Sequence, residues 1–179
     1  MSDRARTIGV VSDTHGYFDP ALPELLSGVE AILHAGDIVG GSVLDALERI
    51  APVIAIVGNN DGPPLSSELP EWRTVELDGE RILLVHDLGK PERVRPPAAK
   101  LLARERPSIV VSGHSHAGRV DVRDGVLFFN PGSAGKKRFR LLRSAGFLVF
   151  HSRVVEARLV SLEGRVGEVV ASAQLPRRR

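Results

Sequence analysis

Five short aliphatic runs in this chain end in residues that can hold a metal ion, and that repetition narrows the fold more than any other feature. They read VVSDTHG (10–16), ILHAGD (32–37), IVGNND (56–61), LLVHD (83–87) and VVSGHSH (110–116). The apolar stretches at 8–11, 31–34, 53–57, 82–86 and 108–111 lack polar alternation, as strands buried on both faces do. Between or before them, residues 20–28, 42–50 and 92–106 carry helical spacing, with Ser42 expected as an N-cap. Helices set between buried strands imply right-handed crossovers and parallel pairing. Ligands of open α/β sheets gather at the carboxyl ends of the strands, so the five endings are expected to converge on one crevice.

From residue 117 onward the pattern changes to strand-like runs separated by Asp124-Gly125 and His151-Ser152, as in antiparallel hairpins. The chain therefore reads as α/β in its first two thirds and antiparallel β in its last. No linker or repeat divides its 179 residues, so one domain over 1–179 is expected, with a core at about 7–162 and a solvated basic tail at about 163–179 that ends in Arg177, Arg178 and Arg179. A net charge of +2 gives no indication of a nucleic-acid partner. No apolar segment has the length of a signal peptide core or a membrane span, so a cytoplasmic protein without a membrane partner is expected. The absence of cysteine excludes disulfides, thiolate zinc sites and thiol nucleophiles. Any metal must be held by nitrogen and oxygen.

The donors can be counted. Asp13 with His15, and His114 with His116, are pairs at i, i+2, which an extended chain would turn to the same side. Asp37, Asn59 and His86 bring the total to seven. A closed structural zinc site takes four ligands, whereas two adjacent cations that share a carboxylate and keep open positions for water need about seven. Of the six histidines, His15, His34, His86, His114 and His116 all fall at these strand ends, and only His151 lies elsewhere, in a hairpin turn with a structural role. His34 is expected to orient a ligand or pack rather than bind metal. Gly36, Gly58 and Gly113 directly precede Asp37, Asn59 and His114, where a missing side chain lets the site close up.

In order, D-x-H (13–15), G-D (36–37), G-N-x-D (58–61), a histidine after a strand (86) and G-H-x-H (113–116) resemble the calcineurin-like metallophosphoesterase superfamily. HAGD, GNND and the later NPGS (130–133) resemble its small bacterial and archaeal phosphodiesterase branch. The likeness runs from about Thr7 to Leu162. It implies a four-layer α/β/β/α sandwich of two mixed sheets flanked by helices. It also implies one metal held by Asp13, His15 and His116, a second held by Asn59, His86 and His114, and Asp37 as the bridge. The implied cofactors are two divalent cations, manganese foremost, with nickel, iron, cobalt or zinc as alternatives. The implied reaction is hydrolysis of a small-molecule phosphoester, most of all a diester, by a metal-activated hydroxide, with catalytic positions at Asp37, Asn59, Asn60 and Asp61.

Two departures stand out. Asn60 occupies the place where larger members carry a histidine, and Asp87 follows His86 where branch relatives have glycine. Lys136, Lys137 and Arg138 of the KKRFR cluster (136–140) are candidate charge partners for a phosphate, or a solvated loop. A non-catalytic metal-binding scaffold of the same fold, used for protein–protein interaction, is the alternative reading, and a homo-oligomer is compatible with either.

Overall fold

Strands such as IGVV and AILH are apolar on both sides and stay out of water only when both faces of their sheet are covered. The computed structural model, which describes residues 5–138 and 140–177, covers them with a second sheet on one face and helices on the other. The elements in chain order are β1 (Arg6–Val11), α1 (Leu22–Leu25), β2 (Ala31–His34), α2 (Gly41–Glu48), β3 (Val53–Ala55), α3 (Leu65–Glu68), β4 (Trp72–Leu77) and β5 (Glu80–Val85). They continue with β6 (Gly89–Lys90), β7 (Arg93–Val94), α4 (Pro96–Glu105), β8 (Ile109–Val111), β9 (Arg119–Arg123), β10 (Val126–Asn130), β11 (Ser144–Phe150), β12 (Val154–Ser161) and β13 (Val169–Pro176).

One sheet has the order β13-β12-β11-β1-β2-β3 and the other β4-β5-β8-β10-β9. The pairs β1–β2, β2–β3, β5–β8 and β8–β10 are parallel, and the outer pairs of both sheets are antiparallel. Register aligns the strand ends: Val11 pairs with His34 and His34 with Ala55 in one sheet, and Leu84 pairs with Val111 in the other. The residues that follow these positions therefore leave both sheets at one edge of the sandwich.

The strand period of two sorts side chains into layers. Val10 and Leu33 join the inter-sheet core with Ile82, Leu84, Val111 and Phe129, whereas their neighbours Val11 and Ile32 pack outward with Leu22, Leu26, Val43 and Leu47 around α1 and α2. On the far side Val85, Val110 and Phe128 meet Ala98 of α4. The expected four layers are present.

Several boundaries differ from the sequence reading. The helix expected at 20–28 is only the turn α1, which carries Pro23 in its first turn and ends ahead of Gly28, whose φ of 81° leaves the helical region. Ser42 lies inside α2, and the cap position is Gly40 with no side-chain bond. The helix expected from 92 begins at Pro96, because Arg95 is extended before the Pro96-Pro97 pair; Gly89–Val94 instead form the β6–β7 hairpin. The stretch from 163, expected as a solvated tail, carries β13, which pairs along β12 from Val169↔Val160 to Pro176↔Val154. Arg177 is anchored on Asp78, while Arg178, Arg179 and Phe139 lie outside the described residues.

Phe129 is almost fully buried between the sheets and fills space left open by Gly146, where a Cβ would collide with its ring. Phe129→Ala should lower the unfolding free energy by about 3–5 kcal/mol, the range for emptying a large core site, as read from the urea midpoint at unchanged m-value.

Candidate metal centre

The strand endings turn sharply. Asp13, His15, Asp37, His114 and His116 all have φ between 47° and 67°, the left-handed region that non-glycine residues rarely adopt. Such residues cost of order 1–3 kcal/mol each and persist only where their surroundings enforce them. Here backbone bonds lock neighbouring turns together: Asp13 N donates to Gly36 O, His15 N to Asp37 O, both at 3.0 Å, and Gly113 N to His86 O at 3.0 Å. The loop after β10 closes over the same turn, with Ala134 N on Ser12 O at 3.0 Å and the Ser133 hydroxyl on Asp13 O at 2.8 Å. The i, i+2 pairs do converge, but by left-handed turns rather than through an extended chain.

Donor atoms of Asp13, His15, Asp37 and His116 all lie within 4.8 Å of one another. His15 Nε2 is 3.1 Å from His116 Nε2, His116 Nε2 is 3.2 Å from Asp13 Oδ1, and His15 Nε2 is 3.7 Å from Asp37 Oδ2. On the other side of Asp37, His86 Nε2 is 3.4 Å from Oδ1. The His86 and His114 rings stand edge to face with centroids 5.3 Å apart, and His114 Nδ1 is 2.9 Å from Asn59 Oδ1. Asp13, His15, His86 and His116 thus lie around the buried Asp37 carboxylate, with His114 beside His86 and Asn59 beside His114.

The donors suit a cation. Asp13 Oδ2 accepts the Ser12 hydroxyl at 2.6 Å and the His114 amide at 3.1 Å, but Asp13 Oδ1 is buried without a hydrogen-bond partner among the described residues. His86 Nδ1 faces the carbonyl of Ala35 at 2.7 Å, and since a carbonyl can only accept, Nδ1 carries the proton and Nε2 presents a lone pair. That Nε2 is also buried without a hydrogen bond, its approach to Asp37 Oδ1 being close but poorly aligned. A bare carboxylate oxygen and a bare imidazole nitrogen are costly to bury, and a divalent cation satisfies both. Glycines make the room: a Cβ on Gly113 would lie 2.6 Å from Asp13 Oδ2, and one on Gly58 would collide with Asp37.

The surrounding groups fix the donors in place. Burial opposes ionisation of Asp37, but His86 and the Asn60 backbone and side-chain amides outweigh it and hold its pKa well below the ordinary carboxylate value. Asn60 N reaches Asp37 Oδ1 at 2.8 Å and Asn60 Nδ2 reaches Oδ2 at 2.7 Å. His15 is held below its usual value by burial and then by the charge of Arg138. Burial lowers the pKa of His86, but the nearby Asp37 carboxylate and the bond to Ala35 O prevail and raise it. Asp61 accepts Val39 N at 2.7 Å and Gly58 N at 2.8 Å, so it clamps two site loops. Asp87 pairs with Arg95 Nε at 3.0 Å and lies 3.6 Å from His114 Nε2, on the opposite side of that ring from Asn59.

His34 lies beneath, fully buried. Its Nδ1 accepts the Gly36 amide at 3.2 Å, so Nε2 carries the proton and donates to Thr14 Oγ1 at 3.0 Å, and Thr14 passes a bond on to Ile38 O at 3.3 Å. It joins the 13–15 and 36–38 turns and, among the described residues, makes no hydrogen bond to an expected ligand. His151 is remote from these turns, beside Glu156 at 3.6 Å. Two supporting side chains escaped the sequence reading. Ser12 holds Asp13, and Asn130 of NPGS donates to Gly113 O at 2.7 Å and to Ser115 Oγ at 3.2 Å, bracing the histidine loop. The sequence signal for Asn130 was its place in NPGS, a motif that carried the family resemblance without a role for this residue.

Nitrogen and oxygen donors around two buried carboxylates, at one edge of two facing sheets, define a metal-binding α/β sandwich. The family model described as the calcineurin-like phosphoesterase superfamily domain matches residues 7–153, and the chain belongs to that superfamily. It is 32% identical over 163 residues to a protein named probable metallophosphoesterase from Methanocaldococcus jannaschii, covering 87% of this chain and 81% of the relative. It is 31% identical over 144 residues to a protein named phosphodiesterase from the same organism, covering 70% and 82%. Among solved structures, Vacuolar Protein Sorting 29 from Cryptosporidium parvum superposes with a TM-score of 0.80 at 21% identity, over 98% of this chain and all of that one. The Yfce phosphoesterase from E. coli superposes with a TM-score of 0.66 at 22% identity, over 93% and 98%. No helix among the described residues is long and apolar enough to cross a membrane.

Burial pushes the His34 pKa down to about 4 from 6.5. The unfolded chain therefore binds a proton here that the folded chain refuses, and stability falls as pH drops from about 6.5 towards 4. In chelator-treated protein, denaturant midpoints measured across this window should fall for the parent chain and fall less for His34→Gln, which cannot titrate.

Proposed function

We propose that this protein hydrolyses phosphate esters, phosphodiesters above all, using two divalent cations that share Asp37. The observation that carries the reading is the placement of the two Asp37 oxygens, Oδ2 towards His15 at 3.7 Å and Oδ1 towards His86 at 3.4 Å. Asp13, His15 and His116 would hold one cation, and Asn59, His86 and His114 the other. Bound there, the cations supply Lewis acidity that lowers the pKa of water and offsets the charge of a phosphoryl group. The curated archaeal relative named as a phosphodiesterase supports the preference for diesters.

The chain's own groups set the geometry. The Ala35 carbonyl keeps the Nε2 lone pair of His86 turned to the crevice. Asn60 holds the Asp37 carboxylate by two bonds, and Asp61 fixes the loop that carries both asparagines. An amide cannot act as a general acid, so Asn60 gives no proton to a departing alcohol, and good leaving groups should be favoured. The chain has no cysteine to serve as a covalent nucleophile, and no serine or threonine is needed when water is the attacking group.

Purified protein with added Mn²⁺ should hydrolyse an aryl phosphodiester faster than the corresponding monoester. Asp37→Asn should lose most of this activity and lower the metal content measured by elemental analysis, while His151→Ala should match the parent in both. Full metal content with no turnover of any phosphoester would favour the scaffold reading.

A further inference from the structure

A third carboxylate is buried close to the metal turn, and it needs no cation to satisfy it. Asp19 is 4% exposed. Its Oδ1 accepts the Ala21 amide at 2.8 Å, and its Oδ2 meets the guanidinium of Arg143, whose side chain is 15% exposed. Desolvation offsets much of the attraction in such a pair, so it is weak evidence for stability, and what it holds in place is more informative.

The same guanidinium fastens the loop that follows β10. Arg143 Nε donates to Gly135 O at 2.6 Å, Nη2 lies 3.5 Å from Ala134 O, and the group sits over Tyr17 at 5.4 Å from the ring centroid. That loop grips the turn carrying Asp13 and His15: the Ser133 hydroxyl donates to Asp13 O at 2.8 Å, and Ala134 N to Ser12 O at 3.0 Å. Gly135 backs onto the same turn, since a Cβ on it would lie 2.6 Å from Asp13 O and 2.9 Å from Thr14 O. On the other side the short stretch from His15 to Asp19 is closed by Tyr17 N on Thr14 O at 3.0 Å and anchored by Asp19 itself. The donors beyond Asp37 are braced elsewhere: His86 by Ala35 O, the asparagine loop by Asp61, and the His114 loop by Asn130.

We propose that Arg143 is a positioning residue for the cation held by Asp13, His15 and His116, and that Asp19 fixes its guanidinium for that task. A rigid planar fork of donors can meet Asp19 and the Gly135 carbonyl together, whereas an ammonium has no such fixed geometry. Without the fork, the 133–135 loop and the His15–Asp19 stretch lose their common anchor, and Asp13 and His15 are no longer held in one arrangement. The side formed by Asn59, His86 and His114 keeps its own braces. This inference rests on the two-cation reading under the proposed function, and a binding measurement separates it from hydrolysis.

The probe is Mn²⁺, titrated calorimetrically into chelator-treated protein, with His116→Ala and His114→Ala as references for the two binding steps. Arg143→Gln should weaken the step that His116→Ala weakens by about tenfold, the lower end of what losing an outer partner costs a metal site, and leave the other step as in the parent. A merely destabilised fold would weaken both steps together. Gly135→Ala leaves the Arg143–Asp19 pair in place and pushes on Asp13, so it should reproduce the selective loss even if Arg143→Gln does not fold. Arg143→Lys should recover the urea midpoint more fully than the affinity, because it restores the charge without the fork. Lys137→Gln, on the same loop but paired with Glu163 at 2.7 Å, should match the parent. A parent that binds Mn²⁺ in two steps but turns over no phosphoester would overturn the hydrolase reading, and selective loss in Arg143→Gln would still support this one. Equal weakening of both steps, parent affinity in both Arg143→Gln and Gly135→Ala, or no uptake of Mn²⁺ by the parent would overturn it.

Discussion

Two carboxylates, Asp13 and Asp37, are 0% and 1% exposed, and the whole working edge of the molecule is arranged around that burial. Ionised groups so far from water need either close partners or a cation. The partners are present but incomplete: Ser12 and the His114 amide hold one oxygen of Asp13, and Asn60 grips Asp37, yet Asp13 Oδ1 and His86 Nε2 have no hydrogen bond among the described residues. Nitrogen and oxygen atoms arranged in this way attract a metal more than they attract one another. The strained turns that bring them together draw their support from the sheets, whose backbone bonds tie each turn to the next. Because the donors come from both sheets, the inter-sheet core of residues such as Leu33, Leu84 and Phe129 is also what sets distances in the crevice.

Much of this was legible in the sequence, and for physical reasons. Buried parallel strands have no polar alternation and must end somewhere, so VVSDTHG and VVSGHSH announced both a strand and the site at its end. The convergence of 13, 37, 59, 86 and 114 followed from parallel pairing, which the register of Val11, His34 and Ala55 bears out. The i, i+2 spacing implies an extended chain, whereas Asp13, His15, His114 and His116 sit in left-handed turns that a local period cannot reveal. Tertiary bonds were illegible for the same reason. That Asn60 would hold Asp37, or that Asp61 would clamp Val39 and Gly58, depends on loops distant in sequence. Residues 169–176 read as part of a basic tail beside Arg177, Arg178 and Arg179, and only β12 makes an edge strand of VVASAQLP.

The fold carries less information about function than the loops do. A TM-score of 0.80 at 21% identity shows that very different sequences satisfy the same two-sheet sandwich. The loops carry the donor set of two carboxylates, one amide and four imidazoles. Turn strain and bare donors lie within the loops, while strands and helices supply the rigidity that preserves them.

The central claim is that Asp37 lies between two cations. Anomalous scattering from crystals grown with Mn²⁺, measured at the manganese edge, tests it most directly. Two peaks on either side of the Asp37 carboxylate are predicted, one against Asp13, His15 and His116 and the other against Asn59, His86 and His114. A single peak, with Asp37 bound through one oxygen and His86 and His114 bare at saturating metal, would contradict the account.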